Sequence, residues 1–238
     1  MLDGISVACG LLLSAGCASC GKRFVGACED TRYRRAFWLK GAAGLCFLAM
    51  GLLAAEKCAN PDFAWRVCLG LFLGLVGDEL LALRFIYTDK HNEFFSAGAA
   101  SFAVGHVLYI RALLLVSGAR LTAAVPIALA GAAASAVYAR IRRVNAGKLS
   151  VCAAAYIALV VFMAATAFVT SARVFSVGAL MFAVAGVCFA VSDNILCAQS
   201  YGNKKTAGMN RAVHVTYYAA QLLIAWSMIF ICLVYVNK

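Results

Sequence analysis

Charge and proline are the scarce commodities of this sequence. Only 13% of its 238 residues are Asp, Glu, Lys or Arg, against 64% hydrophobic, and the mean hydropathy is +0.88. That balance lies far outside the range of soluble globular domains and leaves an all-α polytopic membrane protein. With two prolines, there is little material for Pro-broken helices of the transporter kind. No Ser/Pro-rich linker or low-complexity tract offers a cut point, so residues 1–238 read as a single integral membrane domain. Acids are fewer than bases, 10 against 21. The bases fall in short clusters between apolar runs, a pattern of membrane topology rather than of a nucleic-acid-binding face, and no nucleic-acid partner is expected.

The first stretch, MLDGISVACGLLLSAGCASC, has no basic n-region and carries Asp3. It reads as the first membrane helix rather than as a cleaved leader. Eleven cysteines are scattered, mostly inside apolar runs where a thiol packs as a small hydrophobe. Cys17 and Cys20 form one CxxC without a second pair at zinc-site spacing, so neither a disulfide framework nor a metal site follows.

A helix needs about 20 mainly apolar residues to span a bilayer. Eight segments qualify, at about 4–21, 36–55, 64–83, 95–116, 121–139, 149–170, 174–198 and 211–236. Several are rich in Gly, Ala and Ser, which lets helices approach closely in lipid. The sixth-to-seventh connection, around Arg173, is so short that those two helices must be antiparallel neighbours. Alternate connections carry Lys22, Arg23, Arg32, Arg34, Arg35, Arg84, Lys90, Arg140, Arg142, Arg143, Lys148, Lys204, Lys205 and Arg211, and the opposite side only Lys57, Arg66, Arg111, Arg120, Arg173 and Lys238. The positive-inside rule then puts both termini on the non-cytoplasmic side. The compact size suggests a bacterial cytoplasmic membrane, or the endoplasmic reticulum in a eukaryote.

At a rise of about 1.5 Å per residue, Asp78 and Asp193 lie one to two turns from the cytoplasmic ends of the third and seventh helices. His106, Tyr109, Tyr217, Tyr218 and Gln221 lie on the fourth and eighth helices in the same half, and Lys40 sits one turn inside the second. A carboxylate in mid-helix costs about 2.5–3.5 kcal/mol on insertion scales and is tolerated facing a cavity or a partner. Two at matching depth suggest a site near the cytoplasmic leaflet. Glu79, next to Asp78, points about 100° away around the helix and is set aside. A packing lock between an aspartate and Lys40, His106 or Arg211 is the structural alternative. Three histidines, His91, His106 and His214, raise zinc. His91 lies in a charged loop and His214 near an interface, so no metal and no cofactor is expected.

VGDELL from Val76 matches VSDNIL from Val191, and HVLY from His106 matches HVTY from His214. These suggest a parallel internal repeat, which would turn the two aspartates toward one cavity.

The set of Lys40, Gly77-Asp78, His106-x-x-Tyr109, Ser192-Asp193 and Tyr217-Tyr218-x-x-Gln221 resembles the YhhN-like lysoplasmalogenase family of eight-helix membrane hydrolases. The resemblance runs from about the second helix to the end of the chain. It implies hydrolysis of the vinyl ether of a lysoplasmalogen to a fatty aldehyde and glycerophosphoethanolamine or glycerophosphocholine. The expected partners are a lysophospholipid substrate and the bilayer, with the oligomeric state open.

The chemistry needs an acid to protonate the β carbon and a second group to stabilise the oxocarbenium ion or activate water. Asp78 and Asp193 can divide these roles, in the manner of glycosidase carboxyl pairs, with the assignment open. His106, Tyr109, Ser192, Tyr217, Tyr218 and Gln221 would position the water and the ether. Lys40 would meet the headgroup phosphate or pair with an aspartate. The competing class is a small-molecule or proton-coupled transporter using the same two aspartates.

Overall fold

The computed structural model describes residues 4–236, with side chains through Ile231. It is 89% helical and contains no strand among those residues. The long helices are α1 (Gly4–Glu29), α2 (Tyr33–Glu56), α3 (Pro61–Leu83), α4 (His91–Ser117), α5 (Val125–Ile141), α6 (Ser150–Val174), α7 (Val177–Tyr201) and α8 (Ala207–Val236). Each but α3 contains a stretch long and apolar enough, and poor enough in charge, to cross a membrane. Every 18-residue stretch of α3 holds at least three ionisable residues, drawn from Asp62, Arg66, Asp78 and Glu79. The protein is thus a multi-pass helical membrane protein, and the helix set apart by its ionisable residues carries one of the two aspartates.

Local signals set the helix ends. Asn60 Oδ1 accepts from the Phe63 amide at 3.0 Å and Pro61 opens α3, where its missing N–H costs nothing. Ser176 Oγ accepts from the Ala179 amide at 3.1 Å to start α7, one residue after Phe175 closes α6 in the left-handed region at φ 47. That tight reversal is the short connection expected around Arg173. Elsewhere the helices outrun the apolar segments: α1 continues past Gly21 to Glu29, and α8 begins at Ala207 rather than 211. Charged residues at helix ends lower the hydropathy of a window without breaking the backbone hydrogen bonds.

Helices α2, α3, α4, α6, α7 and α8 form a closed ring, each packed on the next, with α3 also touching α8 across it. Outside the ring, α1 lies against α2 and α8, and α5 packs mainly on α6. The ring interior is filled by large apolar side chains, including Phe47, Leu71, Phe182, Phe189 and Met228, all under 2% exposed. The outer surface is the inverse of a soluble protein's. Leu11, Leu12, Leu45, Leu129, Ile141 and Leu180 are exposed, as lipid contact requires. Trp38 and Trp65, near opposite ends of the bundle, are exposed where interfacial aromatics belong. Cysteines such as Cys17 and Cys68 are buried thiols. Cys58, in the α2–α3 connection, departs from the thiol reading: it is disulfide-bonded.

Candidate functional site

Glycines on α3 decide what can approach its inner face. A Cβ at Gly70 would strike the Tyr109 ring and one at Gly74 the Gln221 amide nitrogen. Their absence lets α4 and α8 close on α3 and carry polar side chains into the ring. Ser101 Oγ donates to the Leu73 carbonyl at 2.7 Å, fastening α4 to α3 beside them.

Asp78 is 2% exposed and is held at both oxygens. Lys40 Nζ lies 3.0 Å from Oδ1, and the Tyr217 hydroxyl donates to Oδ2 at 2.7 Å. Behind Tyr217 the chain of donors continues. Gln221 Nε2 donates to the Tyr217 oxygen at 2.8 Å, and Tyr109 donates to Gln221 Oε1 at 3.4 Å. Because Tyr217 accepts from Gln221, its own hydrogen is directed at Asp78. Every dipole in the chain therefore points toward the carboxylate, the arrangement that favours negative charge there. Of the two expectations for Lys40, the structure forms the ion pair.

Asp193, 7% exposed, has a different setting. Tyr156 of α6 donates to its Oδ2 at 2.7 Å, and among the described residues no Lys or Arg stands within ion-pairing distance. Ser192 beside it donates to the Val213 carbonyl at 3.1 Å, tying α7 to α8.

Both aspartates line one cavity of about 400 Å³, together with Lys40, Ser192 and Tyr217. Its wall continues to Arg84, Phe85, His91 and Lys205, so it opens at the end of the bundle that carries the α3–α4 and α7–α8 connections. A second cavity, about 510 Å³, is bounded by α4, α6 and α7 and is lined almost wholly by apolar side chains such as Phe95, Ala103, Ile157 and Leu159. Leu81, Phe102, Asp193 and Leu196 belong to the walls of both. Asp193 thus sits where a polar chamber meets an apolar one.

The remaining expected site residues lie one layer back. His106, Tyr109, Tyr218 and Gln221 are not among the residues lining either cavity. Tyr109 and Gln221 act through Tyr217, as above. His106 is caged by Phe189, Tyr109 and Tyr156, with ring centroids 4.9, 6.1 and 6.1 Å away, and neither of its nitrogens has a hydrogen-bond partner. Tyr218 packs on His214 and Tyr217 with its hydroxyl unpartnered. Glu79 turns toward α2, its Oε1 2.9 Å from where a Cβ on Gly41 would stand. Among the described residues no three His, Cys, Asp or Glu side chains gather as a metal-ligand group.

A strict repeat would give each aspartate the tyrosine of the following helix. Asp78 instead receives Tyr217 of α8, Tyr109 of α4 goes to Gln221, and Asp193 is served by Tyr156. Tyr156 was not legible from the sequence, being the lone polar group in an apolar run with its partner 37 residues away. No curated protein and no solved structure matches this chain. The model of the YhhN family matches residues 36–228, which span α2 to α8 and include both aspartates and every group hydrogen-bonded to them. The chain belongs to the YhhN family.

Proposed function

We propose that this protein is a lysoplasmalogenase, a membrane hydrolase of the vinyl ether in 1-alkenyl lysophospholipids. The observation that carries the reading is one cavity with two carboxyl groups in opposite electrostatic settings, joined to an apolar chamber at one of them. Asp78, saturated by Lys40 and Tyr217, serves as the carboxylate. Asp193, with a hydroxyl donor and no cation, serves as the acid.

A vinyl ether resists nucleophiles and opens when its β carbon is protonated. Asp193 delivers that proton, forming an oxocarbenium ion that the Asp78 carboxylate stabilises across the cavity. Water adds to the cationic carbon while Asp78 takes its proton, giving a hemiacetal. Collapse reverses the roles: Asp78 protonates the departing glycerol oxygen and Asp193 takes the hemiacetal hydroxyl proton. The products are a fatty aldehyde and a glycerophospho-base, and both carboxyl groups regain their starting states.

The dimensions suit an amphiphile. The apolar chamber faces the lipid side between α4 and α6, where Cys152 and Ala100 are exposed, and would take the hydrocarbon chain. The polar chamber opens at the basic end, which the positive-inside rule assigns to the cytoplasm. A disulfide at Cys58, at the opposite end, suits an oxidising compartment there.

The test is aldehyde release from a 1-alkenyl lysophospholipid by purified protein in detergent, with the 1-acyl analogue as control. Release from the alkenyl lipid alone supports the proposal. Absence of aldehyde, with proton-linked uptake in liposomes, would favour the transporter instead.

A further inference from the structure

Lys40, expected either to meet the headgroup phosphate or to pair with an aspartate, is engaged by Asp78, and a different cation stands at the mouth of the polar cavity. Arg84, the residue after α3, is 7% exposed and forms part of that wall. Its guanidinium lies over two rings, 4.6 Å from the Phe85 centroid and 5.0 Å from that of Phe95. Such stacking covers the planar faces of a guanidinium and leaves its edges to donate. Two of those edge atoms, Nε and Nη1, are buried without a hydrogen-bond partner. Burial pushes the group down only to about 10, so it is charged at neutral pH. A buried, charged guanidinium with two donor nitrogens unmet is costly in a folded protein, and calls for a ligand.

Two further features converge on the same wall. The first turn of α8 contributes Thr206, Ala207 and Asn210, with Thr206 Oγ1 capping the Met209 amide at 3.1 Å, so the positive end of a long helix dipole faces the chamber. Lys205 precedes it in the lining. The acids of the chamber are Glu29, Asp78 and Asp193. Glu29 is met by Arg211 at 3.7 Å and Asp78 by Lys40, so neither neutralises Arg84.

We propose that Arg84, with Lys205 and the N-terminus of α8, forms a subsite for a phosphodiester, the headgroup phosphate of a lysophospholipid whose chain lies in the apolar chamber. A guanidinium presents several directional N–H donors to phosphate oxygens, where a lysine presents a point charge. The assignment rests on the hydrolase reading for the identity of the lipid, but its test requires no hydrolysis.

The test compares three probes bound by the full chain in detergent: a 1-O-alkyl lysophospholipid, which has no vinyl ether to cleave, the matching 1-O-alkylglycerol, and inorganic phosphate. The wild type should bind the phospholipid tighter than the alkylglycerol by tenfold or more, as loss of a charged hydrogen-bond pair implies. Arg84→Gln should bring that ratio close to one with alkylglycerol affinity unchanged, and Arg84→Lys and Lys205→Ala should give intermediate ratios. Inorganic phosphate should compete weakly with the phospholipid and not with the alkylglycerol. An unchanged ratio in Arg84→Gln and Arg84→Lys overturns the subsite. Inorganic phosphate binding as tightly as the lipid overturns its assignment to a headgroup. Retained discrimination in a protein that releases no aldehyde would leave the subsite standing and sink the hydrolase reading alone.

Discussion

Lys40 Nζ and Asp78 Oδ1 stand 3.0 Å apart with their side chains 6% and 2% exposed, joining α2 to α3 in the interior of the ring. In that position the lysine neutralises a charge the membrane would otherwise reject. It also distinguishes Asp78 from Asp193, which faces the same chamber without a cation.

Breaking the pair from one side should be far worse than removing it. Lys40→Met leaves a buried carboxylate uncompensated and should cost about 3–5 kcal/mol. The double variant Lys40→Met with Asp78→Asn should recover a large part of that loss. Thermal unfolding in one detergent reads both, and equal stability of the single and double variants would show that the pair does not hold the helices together.

Tyr156 and Tyr217 are the hydroxyls that donate to the two carboxyl groups, each at 2.7 Å. Tyr156→Phe removes the donor to Asp193, and Tyr217→Phe strands both Asp78 Oδ2 and the Gln221 amide. Each should lower kcat by about 10- to 100-fold, from the loss of one charge-assisted hydrogen bond, with KM little changed. Gln221→Leu, acting only through Tyr217, should cost less than Tyr217→Phe. Steady-state aldehyde release ranks the three, and a larger loss for Gln221→Leu would break the proposed order of the chain.

Gly70 has no room for a methyl group against the buried Tyr109 ring. Gly70→Ala should destabilise by about 1–3 kcal/mol through overpacking, and Gly118→Ala only through its backbone, since nothing lies within 4 Å of that site but its φ is +58. A Gly70→Ala variant as stable as the parent would mean that α3 and α4 are not packed this closely.

The apolar chamber makes a chain-length prediction. Ala103 lines it between α4 and α6, and Ala103→Phe fills part of its volume. KM should rise for long alkenyl chains and stay nearly constant for short ones. A uniform rise across chain lengths would point to a general distortion rather than to occupancy of this chamber.

How much of this was legible follows from what each signal depends on. Asp78 and Asp193 stood out because an acid in an apolar run has few tolerable environments, and both face one cavity as the repeat suggested. Lys40 was legible as a partner for the same reason, but pairing it required knowing which atoms come within 3.0 Å. The His106-x-x-Tyr109 spacing gave a shared helix face correctly. It could not give depth, and the glycines of α3 let that face sink behind the cavity wall. Tyr156 gave no signal, because a tyrosine in an apolar helix also suits a membrane interface. Arg84 read as one more topological charge in the count. Its burial, its unmet donors and its place over Phe85 and Phe95 separate it from the solvated bases around it.

The central claim is that Asp193 protonates a vinyl ether carbon while Asp78 manages the water. The most direct measurement is hydrolysis of a 1-alkenyl lysophospholipid in deuterated water, with the aldehyde trapped as it forms and its mass determined. The account predicts an aldehyde carrying one deuterium at the carbon next to the carbonyl, and a rate lowered by about 10²- to 10⁴-fold in Asp193→Asn, as loss of a general acid implies. An aldehyde without deuterium at that carbon, or an Asp193→Asn protein of undiminished rate, would contradict it.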